Sequence, residues 1–327
     1  MLGLTHLRCV GVIRIYGDYM IDNIISVAIQ VIILFILIAI GVVCRKVKLL
    51  DDRSVSGMAN LVLYVVTPAN IIVAFHREFR VELLKGLLLS FLTAFLTFGA
   101  AAIIAKFLIR EKDEDKRAVL RFAGSLPNAG YMGIPLQTAL LGDIGVFYCA
   151  AYIGMFHMYT WSYGVQLLDK EKSGIHIKKI LLSPCIIAIF IGLLLFFLPF
   201  ELPAIVLSPI KSLAALATPV PMIIIGYYLA GSSLKSIFGN PGIYVAASIK
   251  MIISPIIALV ICYVLGFDRT MAVSCLIATS ASSAAMTTML ATKFGRDAEL
   301  SAGMVSFTTI AAIVTMPVFI AIAGMLG

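Results

Sequence analysis

The chain has 327 residues, of which 61% are hydrophobic and 13% are charged, and its formal net charge is +8. Soluble domains are about 45–50% apolar and about 25% charged, so this composition excludes an ordinary soluble protein. The positive charge does not indicate nucleic-acid binding, because the basic residues lie between apolar stretches and not on one continuous surface.

Apolar stretches of membrane-spanning length fill nearly all of the sequence after Asp22. Because a spanning helix needs about 20 mostly apolar residues, we predict an all-α membrane protein with ten transmembrane helices. In chain order, the predicted helices cover residues 22–44, 54–75, 83–109, 117–140, 144–168, 180–199, 203–231, 241–266, 270–293 and 298–324. Residues 1–20 form an N-terminal tail without the features of a signal peptide, and the favoured interpretation is that translation starts at Met20.

The basic residues are distributed unevenly between the two sides of the predicted helices. Joints after odd-numbered helices hold 17 of the 25 Lys and Arg residues, and the opposite side with the tail holds 7. Cytoplasmic loops of membrane proteins are enriched in Lys and Arg. The loops after odd-numbered helices are therefore predicted to be cytoplasmic, and both termini are predicted to lie on the extracytoplasmic side of the cell membrane. Residues 169–179 then form a cytoplasmic loop between the two halves.

Two pairs of motifs indicate an internal repeat. Thr67-Pro68 in helix 2 and Thr218-Pro219 in helix 7 are 151 residues apart. In helices 4 and 9, polar or proline residues recur at i, i+3 and i+7 with an offset of 152: Asn128, Tyr131 and Pro135, then Ser280, Ser283 and Thr287. Because five is an odd number of crossings, the second copy of a five-span unit enters the membrane from the opposite side to the first. The sequence therefore predicts inverted repeats over residues 21–168 and 180–327. Chance similarity between apolar sequences is the alternative.

Helix 4 contains two prolines and three glycines within residues 124–136. Proline removes an amide donor and glycine weakens a helix, so we predict a discontinuous helix. Its freed carbonyls need protein or a watery cavity around them, and exposed helix ends at mid-membrane bind ions and polar substrates. Asn128 and Tyr131 are therefore the first binding candidates, and a packing kink is the alternative.

Helix 9 differs from helix 4 because residues 278–288 carry hydroxyls and small side chains but no proline. Small residues allow two membrane helices to approach closely, and hydroxyls can line a polar path. The sequence leaves both interpretations open.

Lys250 is the one basic residue well inside a predicted span. A charge in the bilayer costs at least about 2.5 kcal/mol, so we predict a functional role, with snorkelling to one face as the alternative. Asp143, Glu201, Asp268, Asp297 and Glu299 all map to helix ends or joints. A positive site without a mid-membrane carboxylate favours an anionic substrate, whereas His157 is interpreted as a core group.

Residues 126–136 resemble the broken fourth helix of auxin efflux carrier family transporters, which include bacterial malate permease-like proteins. Residues 40–50, 290–300 and 315–317 resemble the end of the first helix and the closing region of the same family. The resemblance covers about residues 20–327. It implies ten helices in two inverted five-helix repeats related to sodium/bile acid symporters, with helices 4 and 9 crossing at the substrate site, usually in a homodimer.

The resemblance also implies which residues meet at that crossing. They are Pro127, Asn128, Tyr131 and Pro135 from helix 4, and Ser280, Ser282, Ser283 and Thr287 from helix 9. Asn70 and Lys250 complete the predicted substrate-binding set. The chain departs from the family pattern because no proline stands near Ala281 or Ser282, and the long cytoplasmic loop of the plant carriers is absent.

The predicted function is secondary transport of a small organic anion, such as malate or an auxin-like acid, across the cell membrane. A bundle of helices 4, 5, 9 and 10 is expected to rock against helices 1, 2, 6 and 7. A non-transporting sensor or channel on the same fold is the alternative. No enzyme is expected, since the sequence lacks HExxH and a pair of membrane carboxylates. No cofactor or metal is expected, and the coupling ion, proton or sodium, is left open.

Overall fold

The computed structural model describes residue 29 and residues 32–171, 177–198, 201–231 and 240–326. The predicted N-terminal tail and the first part of the first predicted helix lie outside this range. Residues 172–176 of the predicted cytoplasmic loop lie outside it as well. The helix at 177–181 begins inside the segment that was predicted to be loop.

The secondary structure of the described residues is helical, and β-structure in them is limited to one isolated bridge. The helices are α1 (32–46), α2 (Asp52–Phe75), α3 (Val81–Leu108), α4 (Glu114–Ser125), α5 (Ile134–Leu141), α6 (Asp143–Tyr159), α7 (Val165–Leu168), α8 (Ile177–Leu181), α9 (Pro184–Phe197), α10 (Ala204–Gly231), α11 (Pro241–Val264), α12 (Arg269–Ser280), α13 (Met286–Lys293) and α14 (Ala298–Ala323).

Five of these helices, within the part of the chain that is described, are long and apolar enough to cross a membrane: α2, α3, α10, α11 and α14. Their bounds lie within a few residues of the predicted spans. The prediction of an all-helical membrane protein is therefore confirmed, whereas the ten-span inverted repeat stays a prediction.

Acidic side chains cap the start of several helices. The Asp51 carboxylate accepts the amide of Ser54 at 2.7 Å at the start of α2. Asp113, Asp268 and Asp297 cap α4, α12 and α14 in the same way. A carboxylate at an N-cap satisfies an amide that has no partner within the helix and complements the helix dipole. The placement of Asp268 and Asp297 at helix ends is thus as the sequence predicts.

Wider π turns precede three prolines. They cover Val62–Val66 within α2, Ala129–Gly133 before α5 and Ile249–Ile253 within α11. In each case an α-helical run follows at once, with Pro68, Pro135 or Pro255 in its first turn. Proline has no amide for the helical hydrogen bonds and its ring crowds the carbonyl four residues earlier, and the wider π turn directly before it changes the hydrogen bonding at that point. In α2, in α11 and in the segment that leads into α5, the helical path therefore continues past the proline without a sharp break at that position.

Helices α1 and α10 meet at two glycines. A Cβ added to Gly41 would collide with the carbonyl of Ile223, and one added to Gly226 would collide with the carbonyl of Ile38. The two backbones are therefore in direct contact. Small residues permit this close approach between membrane helices.

Candidate functional site

Two non-helical segments cross inside the protein, one between α4 and α5 and the other between α12 and α13. Pro127 and Ser283 pair there as an isolated antiparallel bridge. The amide of Asn128 donates to the Ser282 carbonyl at 2.8 Å, and the amide of Ala284 donates to the Leu126 carbonyl at 3.1 Å. The crossing is therefore held by main-chain hydrogen bonds.

Pro127 explains why the first of the two segments is not helical. The residue before a proline is driven away from helical angles, and Leu126 is extended at φ −113° and ψ 129°. Pro127 itself has no amide to donate. Pro127 and Ser283 do not hydrogen-bond to each other in this antiparallel pair. The main-chain hydrogen bonds are made by the residues on either side of Pro127, which are Leu126 and Asn128. The missing amide therefore costs the bridge nothing.

The second segment has no proline, and hydrogen bonds to neighbouring helices stabilise its non-helical conformation. Ala281 is extended at φ −56° and ψ 153° directly after α12. The Ser283 amide donates to the Thr308 hydroxyl of α14 at 3.0 Å. The Ser283 hydroxyl donates to the Ala123 carbonyl of α4 at 2.8 Å. These partners replace the hydrogen bonds that a continuous helix would supply.

A small cavity of about 50 Å³ lies beside the crossing. A buried water needs roughly 10–15 Å³, so the cavity has room for only a few water molecules. Its wall is mostly apolar and includes four polar side chains. The lining residues are Leu63, Thr67, Pro127, Asn128, Gly130, Tyr131, Ile153, Phe156, His157, Cys185, Ala284, Ala285, Met286 and Met289.

Three of the sequence-predicted site residues line this cavity: Pro127, Asn128 and Tyr131. Asn128 is 6% exposed, and its Nδ2 has no hydrogen-bond partner in the described part of the chain. The Tyr131 hydroxyl donates to the Ala59 carbonyl of α2 at 3.1 Å. Asn128 therefore presents a free amide donor, whereas the Tyr131 hydroxyl is engaged.

The predicted residues of helix 9 lie at the crossing but not on the cavity wall. The hydroxyls of Ser280, Ser283 and Thr287 donate to main-chain carbonyls. The Ser282 hydroxyl is fully buried and has no hydrogen-bond partner among the described residues. These serines and the threonine thus build the crossing, and Ser282 alone among them keeps an uncommitted polar atom.

Asn70 and Pro135 are buried away from the cavity wall. Lys250 is 0% exposed and does not line the cavity either. Its Nζ donates to the Thr279 carbonyl at 2.5 Å, next to the C-terminal end of α12. A cation is favourable at a helix C-terminus because the carbonyls there carry partial negative charge. Lys250 therefore contacts the crossing through α12.

Four cavity residues of chemical interest are missing from the sequence-predicted site: Thr67, His157, Cys185 and Met286. Thr67 belongs to the Thr-Pro pair that the repeat singled out, so a signal for it was present. His157 was interpreted as a core group, and its Nδ1 does lie 3.3 Å from the Ser183 hydroxyl. No sequence pattern marks Cys185 or Met286 because distant segments bring them to the cavity.

An ion-pair cluster ties several helix ends together. Arg296, between α13 and α14, is 4% exposed at its side chain. It donates to the Leu168 carbonyl at 2.8 Å and to the Asp115 carboxylate at 2.6 Å. Lys170 also reaches Asp115, at 3.1 Å. Hydrogen bonds from Arg296 and Lys170 hold the pKa of the Asp115 carboxyl below its ordinary value of 3.8.

Comparison with known proteins gives one family match and several relatives. The sequence model of the membrane transport protein family matches residues 26–320. An uncharacterized transporter of Methanocaldococcus jannaschii is 24% identical over 85% of this chain and 93% of its own length. An uncharacterized transporter of Methanothermobacter thermautotrophicus is 23% identical over 87% and 94%.

A third relative carries a substrate in its name. A Rhizobium meliloti protein named "Putative malonate transporter" is 25% identical over 68% of this chain and 72% of its own length. The family match covers most of the chain and agrees with the auxin efflux carrier resemblance of residues 126–136. The chain therefore belongs to the membrane transport protein family and is a membrane transporter, not an enzyme.

Proposed function

We propose that the protein is a secondary transporter that carries a small carboxylate across the cell membrane by alternating access, with the substrate bound beside the crossing. The observation that carries this proposal is the free amide donor of Asn128 on the cavity wall. A buried donor without a partner is costly, and a carboxylate oxygen would supply the acceptor.

The helix ends at the cavity favour negative charge. Asn128, Gly130 and Tyr131 stand at the start of the π turn that leads into α5, and Ala285 and Met286 stand at the start of α13. Amides at a helix N-terminus carry partial positive charge and bind anions. Two such starts at one small cavity support an anionic substrate.

The name of the Rhizobium meliloti relative makes malonate the first compound to test. The cavity has room for a few water molecules, and we propose that it widens as substrate enters and leaves. Such widening is expected of a carrier whose two parts rock relative to each other.

We further propose ten spans in two inverted repeats, with α4 to α7 and α12 to α14 moving against α1, α2, α9 and α10. The Gly41 and Gly226 contact supports a unit made of α1 and α10, and the Arg296 cluster supports a unit made of α4, α7 and the α13–α14 joint. The proposal keeps the predicted homodimer and both termini on the extracytoplasmic side.

In this arrangement Lys250 positions the end of α12 and does not touch the substrate. Its hydrogen bond to the Thr279 carbonyl and its absence from the described cavity wall support this role. Ser282, with its uncommitted hydroxyl, is proposed to reach the substrate when the cavity widens. Pro127 would shape the site from the cavity wall. The residues that would shape it from behind the wall are Ser280, Ser283, Thr287, Asn70 and Pro135.

The test is uptake of labelled malonate, malate and monocarboxylates into proteoliposomes that contain the purified protein. We expect saturable uptake of at least one carboxylate and none of malonamide, the neutral diamide of malonate. Uptake that saturates for no carboxylate would overturn the proposal, and a conductance that does not saturate would identify a channel instead.

A further inference from the structure

Three titratable side chains line the cavity: Tyr131, His157 and Cys185. The Tyr131 hydroxyl donates to the Ala59 carbonyl at 3.1 Å, and the Cys185 thiol donates to the Leu63 carbonyl at 3.8 Å. Both groups are therefore committed to the main chain of α2. His157 differs because its hydrogen-bond partner is a side-chain hydroxyl.

His157 lies near the end of α6 and is 5% exposed. Its Nδ1 is 3.3 Å from the Ser183 hydroxyl oxygen, which can donate to the ring or accept from it. The Phe156 ring stands edge-on to the imidazole, with 5.6 Å between the ring centroids. Ser183 therefore engages the imidazole at Nδ1, and the further hydrogen bond that a histidine ring can make is through Nε2.

The cavity wall carries no Asp, Glu, Lys or Arg among its described lining residues. The helices that contribute to this wall besides α6 are α2 with Leu63 and Thr67, α9 with Cys185, and α13 with Met286 and Met289. No charged side chain on this wall is in place to neutralise an anion. An unpaired charge in an apolar site is very costly, so an anion that enters needs a positive partner.

We propose that His157 binds a proton together with the substrate carboxylate, so that the anion crosses the membrane with a proton carried on the imidazole. This inference rests on the proposed function and adds the coupling ion to it. A proton from water forms a new N–H bond on the ring, and the imidazolium donates a hydrogen bond to the carboxylate. Both leave when the site opens to the other side.

Histidine suits this role because its charge ordinarily changes between about pH 5 and pH 8. The imidazolium offsets one negative charge of the substrate. Transport of a monocarboxylate is then electroneutral, and transport of a dianion moves one net negative charge. The Asn128 amide, on the same wall, would bind the carboxylate without a change in its own charge.

The experiment measures proton uptake on substrate binding by the purified full-length protein. Calorimetric titration with malonate, in buffers of different ionisation enthalpy, gives the number of protons bound per substrate, which we expect to be about one. His157→Gln keeps a polar side chain that does not titrate, and it should bind malonate more weakly and without proton uptake. His76→Gln is the matched control, because His76 accepts the Leu202 amide outside the cavity.

Proteoliposome uptake from about pH 5 to about pH 8 gives the second measurement. Wild-type and His76→Gln uptake should be driven by an inward proton gradient, and uptake by His157→Gln should not respond to it. If His157→Gln does not fold, His157→Asn takes its place. Unchanged proton uptake in the folded variant would overturn this inference but leave the carboxylate transporter intact. Absence of saturable uptake in the wild type would instead overturn both.

Discussion

The amide of Asn128 donates to the carbonyl of Ser282 at 2.8 Å, which joins two segments from opposite halves of the chain. Asn128 also lines the cavity, and its side-chain Nδ2 has no hydrogen-bond partner among the described residues. The backbone of Asn128 therefore belongs to the crossing, and its side chain belongs to the site. A substitution of the side chain tests the site without removing the crossing.

Asn128→Ala should reduce the apparent affinity for the carboxylate about 10- to 100-fold, because a hydrogen bond to a charged group contributes about 1.5–3 kcal/mol. The measurement is the concentration dependence of malonate uptake in proteoliposomes. Asn60→Ala makes the same change at an exposed position of α2 and should behave like the wild type. Equal affinities in Asn128→Ala and the wild type would remove Asn128 from the site.

Ser283→Ala and Ser282→Ala should differ in stability although the residues are neighbours. The Ser283 hydroxyl donates to the Ala123 carbonyl, so its loss should lower the free energy of unfolding by about 1 kcal/mol. The Ser282 hydroxyl is buried without a partner among the described residues, so its removal should be neutral or slightly stabilising. Thermal unfolding in detergent measures both, and the reverse order would contradict the hydrogen-bond assignment.

Lys250→Met should lower the maximal rate of uptake and leave the KM for substrate nearly unchanged. The change removes the hydrogen bond to the Thr279 carbonyl but keeps a side chain of similar length. An increase in KM at an unchanged maximal rate would show instead that Lys250 binds the substrate. Lys211→Met, at an exposed position of α10, is the matched control.

Gly41→Ala should destabilise the protein by about 1–3 kcal/mol, the usual cost of overpacking. Its new methyl group would meet the carbonyl of Ile223, which belongs to main chain and has little room to move. Gly57→Ala, in the first part of α2, has no atom within 4 Å of the added Cβ and should stabilise by up to about 1 kcal/mol. Thermal unfolding of the two variants should therefore shift in opposite directions.

Asp115→Asn should lower thermal stability at neutral pH, because the buried Arg296 loses the nearer of its two carboxylates, Asp115 at 2.6 Å, and keeps only Glu114 at 3.8 Å among the described residues. In the wild type the pKa of Asp115 is lowered on folding, so its contribution to stability is complete above the ordinary value of 3.8. The contribution is lost as the pH falls below that value and through the lowered pKa. The stability difference between wild type and Asp115→Asn should therefore shrink in acid, and a pH-independent difference would contradict the ion pair.

Local sequence predicts the first crossing segment better than the second. The glycines and prolines of residues 124–136 are breakers, and the extended Leu126 follows directly from Pro127. No breaker marks Ala281, and the segment after it depends on Thr308 and Ala123, which come from other helices. Such partners are invisible until the helices are assembled.

The same distinction explains the candidate site. Asn128 could be selected from the sequence because a polar residue directly after Pro127 and shortly before Pro135 is unusual in an apolar helix. His157 resembles any buried histidine with one hydroxyl partner, and only its position on the cavity wall separates it from a core residue. Lys250 was selected for its charge, but the sequence contains no sign of the carbonyl that it contacts.

The π turn at Val62–Val66 determines where α2 can lose a single residue. A π turn closes hydrogen bonds between residues five apart and so holds one residue more than an α turn, and removal of that residue leaves an ordinary α turn in its place. Asn70, Ala74 and Phe75 are buried after the turn, and they would keep their inward direction in the helix shortened at this point. A deletion in the α-helical part of α2 before the turn would instead rotate these residues by about 100°, so homologues that lack one residue are expected to lack it at the π turn.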